Sequence, residues 1–501
     1  MKKNLNLIRI ISPSASILPY SIVVIYTILA TWLAYHHGLC CADDGSFAVV
    51  SKNIANGLGY VLTLNYSSLP YTAQAFPPAL GLGPAPILFV AAFVRILGNL
   101  PWVPSVASVL LNSVFLATLA RGLSRITDPV RSTIILVAFL ISAVLINYAN
   151  AGYWFTQFGE VPAILATTSA YVWWCDPNRS ASGALAAGVL LALGFLTKEL
   201  NAIYLVPIGL LAVYEGFSKR KTRHISALVI GASVPVIFFE TYKWISLGSL
   251  AAYLESWRQH ISFIALQNSR QGNADIFGIV KERATLFKHQ FAVPMWFVLV
   301  ATGIAGLLPK SSASVRVLSG LIIAAIYLHF SYWLFKSPGW TRYIYEALVL
   351  FSLLSALLMA TQTNLGLAAI PALLIVVVAA RHKNELSDPN VQLDGQLQQT
   401  WVIPTMNADR RVLDYLLSHS PDRPVYVQWW AQVPNLEYLS PRPLLFQHWR
   451  FHSPNETGPY LLVTNDRLMY TGDASFFELL KQCGEPALSA PPYRVYRCSG
   501  N

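Results

Sequence analysis

Residues 11–42 carry no acidic or basic side chain apart from His36 and His37. A helix of about 20 apolar residues crosses roughly 30 Å of bilayer hydrocarbon, and this run is long enough with residues to spare. Most soluble folds are excluded by that one feature. The rest of the chain agrees, with 54% hydrophobic and only 12% charged residues over 501 positions, the composition of a polytopic membrane protein. Lys2, Lys3 and Arg9 precede the run, and with no small-x-small cleavage site in view the expectation is an uncleaved anchor with its N-terminus inside. The net charge of +11 fits basic cytoplasmic loops facing anionic lipid rather than nucleic-acid binding.

Further apolar segments lie at 103–120, 132–148, 161–174, 182–196, 202–214, 225–239, 291–309 and 317–335, with a longer run at 347–380. Basic clusters set the orientation: Arg121, Arg125 and Arg131, then Arg179, then 219–223, then Lys310 with Arg316. These turns all fall on the cytoplasmic side provided that 85–97 does not cross. That stretch is short, holds Arg95 and follows Pro77, Pro78, Pro84 and Pro86, which fits an interfacial or re-entrant helix. Residues 38–101 then form the first external loop. As one helix, 347–380 would be about 51 Å long. Split at 361–364, it gives eleven crossings in a membrane domain of residues 1–380 and leaves 381–501 outside. Unsplit, it puts the tail in the cytoplasm.

The tail changes character. "NADRRVLDYLLSHS" and "DASFFELLKQCG" have helical patterns, and "PVYVQWW", "YLLVTN" and "YRVYRC" read as strands, so a small α/β domain is expected. The five cysteines include no CxxC pair and no zinc pattern. Cys483 and Cys498 suit a disulfide if the tail is extracytoplasmic, and are free thiols otherwise.

Just beyond the first span stands "CADDGSFAVV". Phe47, Val50 and Ile54 recur at helical spacing and Gly57 suits a C-cap, so a short amphipathic helix begins near Asp44. One carboxylate caps such a helix, and two exceed that need. The surplus one suits proton abstraction from a hydroxyl or a share in a divalent-cation site. "DDGSFAVVSKNIANGLGYVLTLN", followed by "FPPALGLGPAPILFVAAFVRILG", resembles the first external loop of GT-C membrane glycosyltransferases, in particular the branch of protein O-mannosyltransferases and lipid A aminoarabinose transferases. "ARGLSRITDPVR" and "LLALGFLTKELN" are similar to further landmarks of that family, so the resemblance covers roughly residues 43–200.

The resemblance implies a GT-C-like helical membrane fold, a polyprenyl-phosphate-linked sugar donor, a glycan, lipid or protein acceptor, and inversion at the anomeric carbon. It places Asp43 at the family's catalytic carboxylate, with Asp44 beside it, and Glu160 of "GYWFTQFGEVPAI" at a second acidic position. Asp43, Asp44 and Glu160 are also the candidate ligands for Mg or Mn, although the aspartates are adjacent rather than in D-x-D spacing. Glu160 before Pro162 is equally a favourable first-turn residue. Arg342 in "FKSPGWTRYIYEA" either belongs to an aromatic belt or donates to a leaving phosphate, with Lys336 and Lys198 assisting. Lys198 and Glu199 either act there, snorkel, or pair with each other. Tyr242, Lys243, Trp257, Arg258, His260 and His289, in or beside a long external loop expected at 244–290, are candidates to contact sugar or acceptor, and none is assigned a role.

The short N-terminus and few insertions suggest a bacterial inner membrane with the site on its periplasmic face. A transporter or flippase of lipid-linked or small solutes is the alternative, with charges lining a path. A non-catalytic assembly subunit is a third.

Overall fold

The computed structural model of the chain describes residues 17–37, 39, 42–63, 74–80, 83–146, 160–219, 222–269, 277–281, 285, 312–336, 345–361, 405–419, 425–427, 433–442, 444, 446–449, 459–465, 474–491 and 493–499. The membrane part is helical: α1 Leu18–His37, α2 Ala42–Ala55, α3 Pro84–Leu97, α4 Val103–Ile126, α5 Pro129–Ile146, α6 Glu160–Trp174, α7 Ala181–Thr197, α8 Leu205–Lys219, α9 Thr222–Leu247, α10 Leu250–Ser269, α11 Ala313–Phe335 and α12 Tyr345–Thr361. A 3-10 segment, Glu199–Tyr204, joins α7 to α8, and a two-stranded ladder pairs β1 Val61–Leu62 with β2 Gln74–Ala75.

Among the described residues five stretches are long and apolar enough to span a bilayer: Leu18–Tyr35, Val103–Ile126, Glu199–Ser218, Thr222–Leu247 and Ala313–Phe335. Their outward faces carry apolar side chains such as Ile25, Ile28 and Trp32 on α1, and Val234, Ile237 and Phe238 on α9. An apolar exterior of this kind belongs in lipid, so the protein is an integral membrane protein. The expected span at 291–309 and the second half of 347–380 lie outside the described residues, as do the turn at 361–364 beyond Thr361 and His289.

Inside the bundle α7 lies against α6 and α9, α1 against α4, and α12 against α5. At Gly188 and Gly231 the backbones of α7 and α9 come so close that a Cβ at either would collide with main chain of the other, the small-residue contact by which membrane helices approach. One end of the bundle is fixed by ion pairs: Arg125 to Asp176 at 3.1 Å and Arg179 to Glu215 at 2.6 Å. The basic turns after α4, α6 and α8 therefore share an end. The opposite end holds α2, α3, the 3-10 segment, the close of α9, α10 and the start of α12.

α3 runs 14 residues, about 21 Å at helical rise and short of a bilayer, as expected for 85–97. α2 starts at Ala42, two residues before the expected start, so both aspartates fall inside its first turn rather than at a cap. α9 continues through Trp244 and Ile245 to Leu247, where Gly248 ends it at φ +74. The loop expected at 244–290 thus begins as helix.

The C-terminal unit is a five-stranded mixed sheet of order β4-β3-β5-β7-β6, with β3 Val425–Val427, β4 Phe446–His448, β5 Tyr460–Asn465, β6 Leu488–Ala490 and β7 Tyr493–Cys498, accompanied by α13 Thr405–His419, α14 Val433–Leu439 and α15 Ala474–Cys483. β3 is parallel to β4 and β5, and β7 is antiparallel to β5 and β6. Alternation sorts its side chains. Val425, Val427, Leu461, Val463 and Val495 join Val49, Val50, Ile87 and Val90 of α2 and α3 in one apolar cluster. Tyr426, Leu462 and Tyr496 face the other way onto Phe476. Cys483 and Cys498 form a disulfide between α15 and β7.

Candidate active site

The acidic pair sits on a helix held from several sides. Asp44 is fully buried in the first turn of α2, where exposed backbone N–H groups and the helix dipole favour a carboxylate. The backbone of Asp43 lies in the same turn, and its side chain is outside the described residues. The other end of α2 is tied down. Ser51 Oγ donates to Ile87 O at 3.1 Å, Asn53 Nδ2 to Val61 O at 2.8 Å and Arg95 Nη1 to Ala55 O at 2.9 Å. Lys52 Nζ donates to the carbonyls of Glu437 and Ser440 at 2.7 and 2.8 Å. Gly57 and Gly59 then turn the chain, both at φ +82, where glycine avoids the Cβ clash other residues meet. Glu160 is the first residue of α6, with its side chain outside the described set, and Arg342 lies wholly outside it.

Lys198 and Glu199 do not pair with each other. Lys198 is the extended residue that ends α7, so consecutive side chains point to opposite sides. Lys198 turns inward, 3.3 Å from Glu346 Oε1, in a site where both are buried. Glu199 turns outward to His260 Nε2 at 2.6 Å. Around Glu346 a polar cluster closes: Tyr204 Oη donates to Glu346 Oε2 at 3.1 Å and lies 2.7 Å from His329 Nδ1, while Tyr171 Oη donates to Tyr204 O at 2.6 Å. Charges are tolerated at such depth only when paired and hydrogen-bonded. The sequence reading missed Glu346 and His329. Their signal was a lone ionisable residue inside an otherwise apolar helix pattern, "YIYEALVLF" and "IYLHFSYW". Lys336, by contrast, is exposed where α11 ends and is not part of this cluster.

Beside it stands an aromatic group built by the first loop, α9 and α10. Tyr60 and Phe76 stack at 5.0 Å between centroids, with Phe239 and Tyr242 edge-on to Phe76. Lys243 lies over Trp257 at 4.6 Å and near Phe76 and Tyr253 at 5.8 and 5.9 Å, a cation–π arrangement. Glu240 accepts from Tyr253 Oη at 2.8 Å and Trp257 Nε1 at 3.1 Å. Phe76 holds φ +46, a conformation rare for a bulky residue and one that surrounding contacts must enforce. Arg258 pairs with Glu255 on the exposed face of α10, away from this group.

Among the described residues no three His, Cys, Asp or Glu side chains gather closely enough to hold a metal ion. Asp44 is the member of the expected trio whose side chain is placed, and it does not by itself fit a cation.

No protein-family model and no curated protein matches the chain by sequence. Solved structures do match. The crystal structure of ArnT from Cupriavidus metallidurans bound to undecaprenyl phosphate superposes with a TM-score of 0.64 at 11% identity, covering 95% of this chain and 97% of that one. The apo state of the same protein gives 0.55 at 12% identity over the same shares. At such identity the likeness speaks to fold, and over nearly the full length of both chains it does so without ambiguity: the protein is a polytopic membrane protein of the GT-C fold.

Proposed function

We propose that the protein is an inverting glycosyltransferase that moves a sugar from a polyprenyl-phosphate donor onto a glycan, lipid or protein acceptor at the extracytoplasmic face of a membrane, in a bacterium the periplasmic face of the inner membrane. The observation that carries this reading is the end-to-end likeness to ArnT, a protein seen with undecaprenyl phosphate bound. The first loop supports it, since it delivers an acidic pair on a firmly held helix to the end of the bundle where the buried cluster and the aromatic group also lie.

The chemistry follows from charge. The acceptor oxygen attacks the anomeric carbon from the side opposite the phosphate, the bond from that carbon to the phosphate oxygen breaks, and the electron pair leaves with the polyprenyl phosphate. Asp43 takes the acceptor proton as general base. Asp44 and Glu160 orient the acceptor. Arg342 donates to the leaving phosphate, with Lys198 and Lys336 adding positive field. Lys198 acts from within its pair with Glu346, so its charge is partly neutralised there and Arg342 carries the larger share. A divalent cation, if bound, would be held by Asp43, Asp44 and Glu160 and would stabilise negative charge on the leaving phosphate. The C-terminal unit lies on the same side of the membrane as the site, a placement supported by the Lys52 contacts.

The test is transfer of labelled sugar by purified protein from a panel of polyprenyl-phosphate donors, with and without chelator. Wild type should transfer, and Asp43→Asn should fall by about 10²–10⁴-fold while folding normally. Loss of transfer on chelation would return Mg or Mn to Asp43, Asp44 and Glu160. No transfer from any donor, together with solute movement in liposomes, would replace the enzyme with a transporter.

A further inference from the structure

The geometry points to Lys52 as a positioning residue: its ammonium, seated under the last turn of α14, is the strut through which the C-terminal unit fixes the rotation of α2 and so the aim of the acidic pair. The catalytic half of this inference rests on the transferase reading above.

The seat is a helix C-terminus. The carbonyls in the last turn of α14 lack intrahelical donors and form the negative end of its dipole. Glu437 O and Ser440 O flank that end, and Lys52 Nζ reaches both at 2.7 and 2.8 Å. A lysine supplied by another part of the chain thus caps α14. Lys52 is 8% exposed, so its charge has exchanged water for these partners, and removing them would strand it. The Glu437 side chain extends the joint. Its Oε2 accepts from Leu444 N at 3.0 Å and its Oε1 from Thr63 Oγ1 at 3.4 Å, bringing the segment after β1 into the same knot. Tyr438 Oη adds a bond to Leu100 O at 3.2 Å, between α3 and α4.

α2 has 14 residues, about 21 Å at helical rise, with the aspartates in its first turn and Lys52 in its last. Ser51, Asn53 and Arg95 hold that last turn to α3 and to the turn that follows it, and Lys52 holds it to α14. A short helix gripped at one end turns as a rod, so a slip at Lys52 swings Asp43 and Asp44 together. Misplacement of a reacting group by about 1 Å can cost on the order of 10²-fold in rate.

The experiment uses the full-length protein and two readouts, hydrogen–deuterium exchange of α2 and steady-state transfer. For Lys52→Met the expected result is exchange in 42–55 faster by about 10-fold or more with α4 and α7 unchanged. In the same variant kcat should fall about 10- to 100-fold with donor KM within about two-fold. Lys52→Arg, which keeps charge and reach, should restore both. Should Lys52→Met fail to fold, Lys52→Gln, which keeps a donor in the same space, is measured against the same expectations. Unchanged α2 exchange in a folded variant overturns the inference, and so does faster α2 exchange with kcat intact. If wild type transfers no sugar, the transferase reading fails, while α2 exchange still decides the strut.

Discussion

Glu346 is the residue on which the buried end of the bundle depends. It answers Lys198 at 3.3 Å and accepts from Tyr204 at 3.1 Å, so its removal takes a buried carboxylate away from a buried ammonium. Glu346→Leu alone should destabilise the protein by about 3 kcal/mol or more, whereas Lys198→Met/Glu346→Leu should recover most of that loss, because breaking a buried pair costs more than replacing it. Thermal unfolding of the four species in detergent, read as a double-mutant cycle, checks this. Asp409 in the C-terminal unit gives a pH prediction. Burial pushes its carboxyl from 3.8 to about 7, against the opposing bond from Tyr493 Oη at 2.5 Å. The folded form therefore holds the proton more tightly than the unfolded one. Its contribution to stability is full below about pH 4, declines as pH rises to about 7 and is flat beyond. Glu437, raised by burial to about 7, acts in the same direction. Asp409→Asn should flatten the wild-type slope between pH 4 and 7, by an amount on the order of a few kcal/mol, in unfolding midpoints of the C-terminal unit. Asp43 and Asp44 are visible in the sequence because two adjacent acids interrupt an apolar chain. Glu346 and Tyr204 make sense only together, and they lie 142 residues apart.

Among elements, the α7–α9 contact leaves no room for an added side-chain atom. The neighbours of a Cβ at Gly188 are backbone atoms of Leu228, Gly231 and Ala232, which cannot rotate aside as a side chain can. Gly188→Ala should cost about 1–3 kcal/mol by overpacking. Gly320 within α11 meets nothing within 4 Å, so Gly320→Ala should be neutral or stabilising by up to about 1 kcal/mol through helix propensity. Melting temperatures of the two variants in one detergent separate packing from propensity. The same distinction explains which elements the sequence disclosed. α2, α3, β5 and β7 each contain enough periods for their pattern to be read, and "YLLVTN" and "YRVYRC" match β5 and β7 residue for residue. β4 and β6 have three residues each and α14 has seven, and unlike the equally short β3, which lies in the β-branched and aromatic run "PVYVQWW", they stand out from their surroundings by no pattern. Their existence is decided by the sheet and by α2, on which they depend for burial. The end of α9 differs for a related reason: the apolar run ends at 239, while in the fold Glu240 and Lys243 are held among Phe76, Tyr253 and Trp257 and the helix runs on to Leu247.

At the scale of the molecule, the bundle separates its ion pairs by end. Arg125–Asp176 and Arg179–Glu215 close one end; Lys198–Glu346, Glu199–His260 and the Lys52 seat mark the other. A chain that places arginine-rich turns together obeys the positive-inside rule with that end in the cytoplasm. In the orientation we propose, the continuous apolar cluster from α2 and α3 into the sheet puts the C-terminal unit on the far side, together with the acidic pair. This orientation is testable without any knowledge of the substrate. Single cysteines at Arg131, 55% exposed beside the α4–α5 turn, and at Arg497, exposed on β7, are introduced into a background with Cys40 and Cys41 replaced by serine. Cys175 is buried, and Cys483 with Cys498 is closed as a disulfide. A membrane-impermeant maleimide applied to intact cells should label the cysteine at 497, and the one at 131 only after the membrane is opened. Labelling of both from the same side would break the link between the sheet and the acidic end. Labelling in the reverse order would turn the protein over and move the proposed transfer to the cytoplasmic face. The expected pattern leaves the acidic pair, the buried Lys198–Glu346 cluster and the C-terminal unit facing one compartment, which a donor lipid held in the bilayer can meet from the side and an acceptor from above.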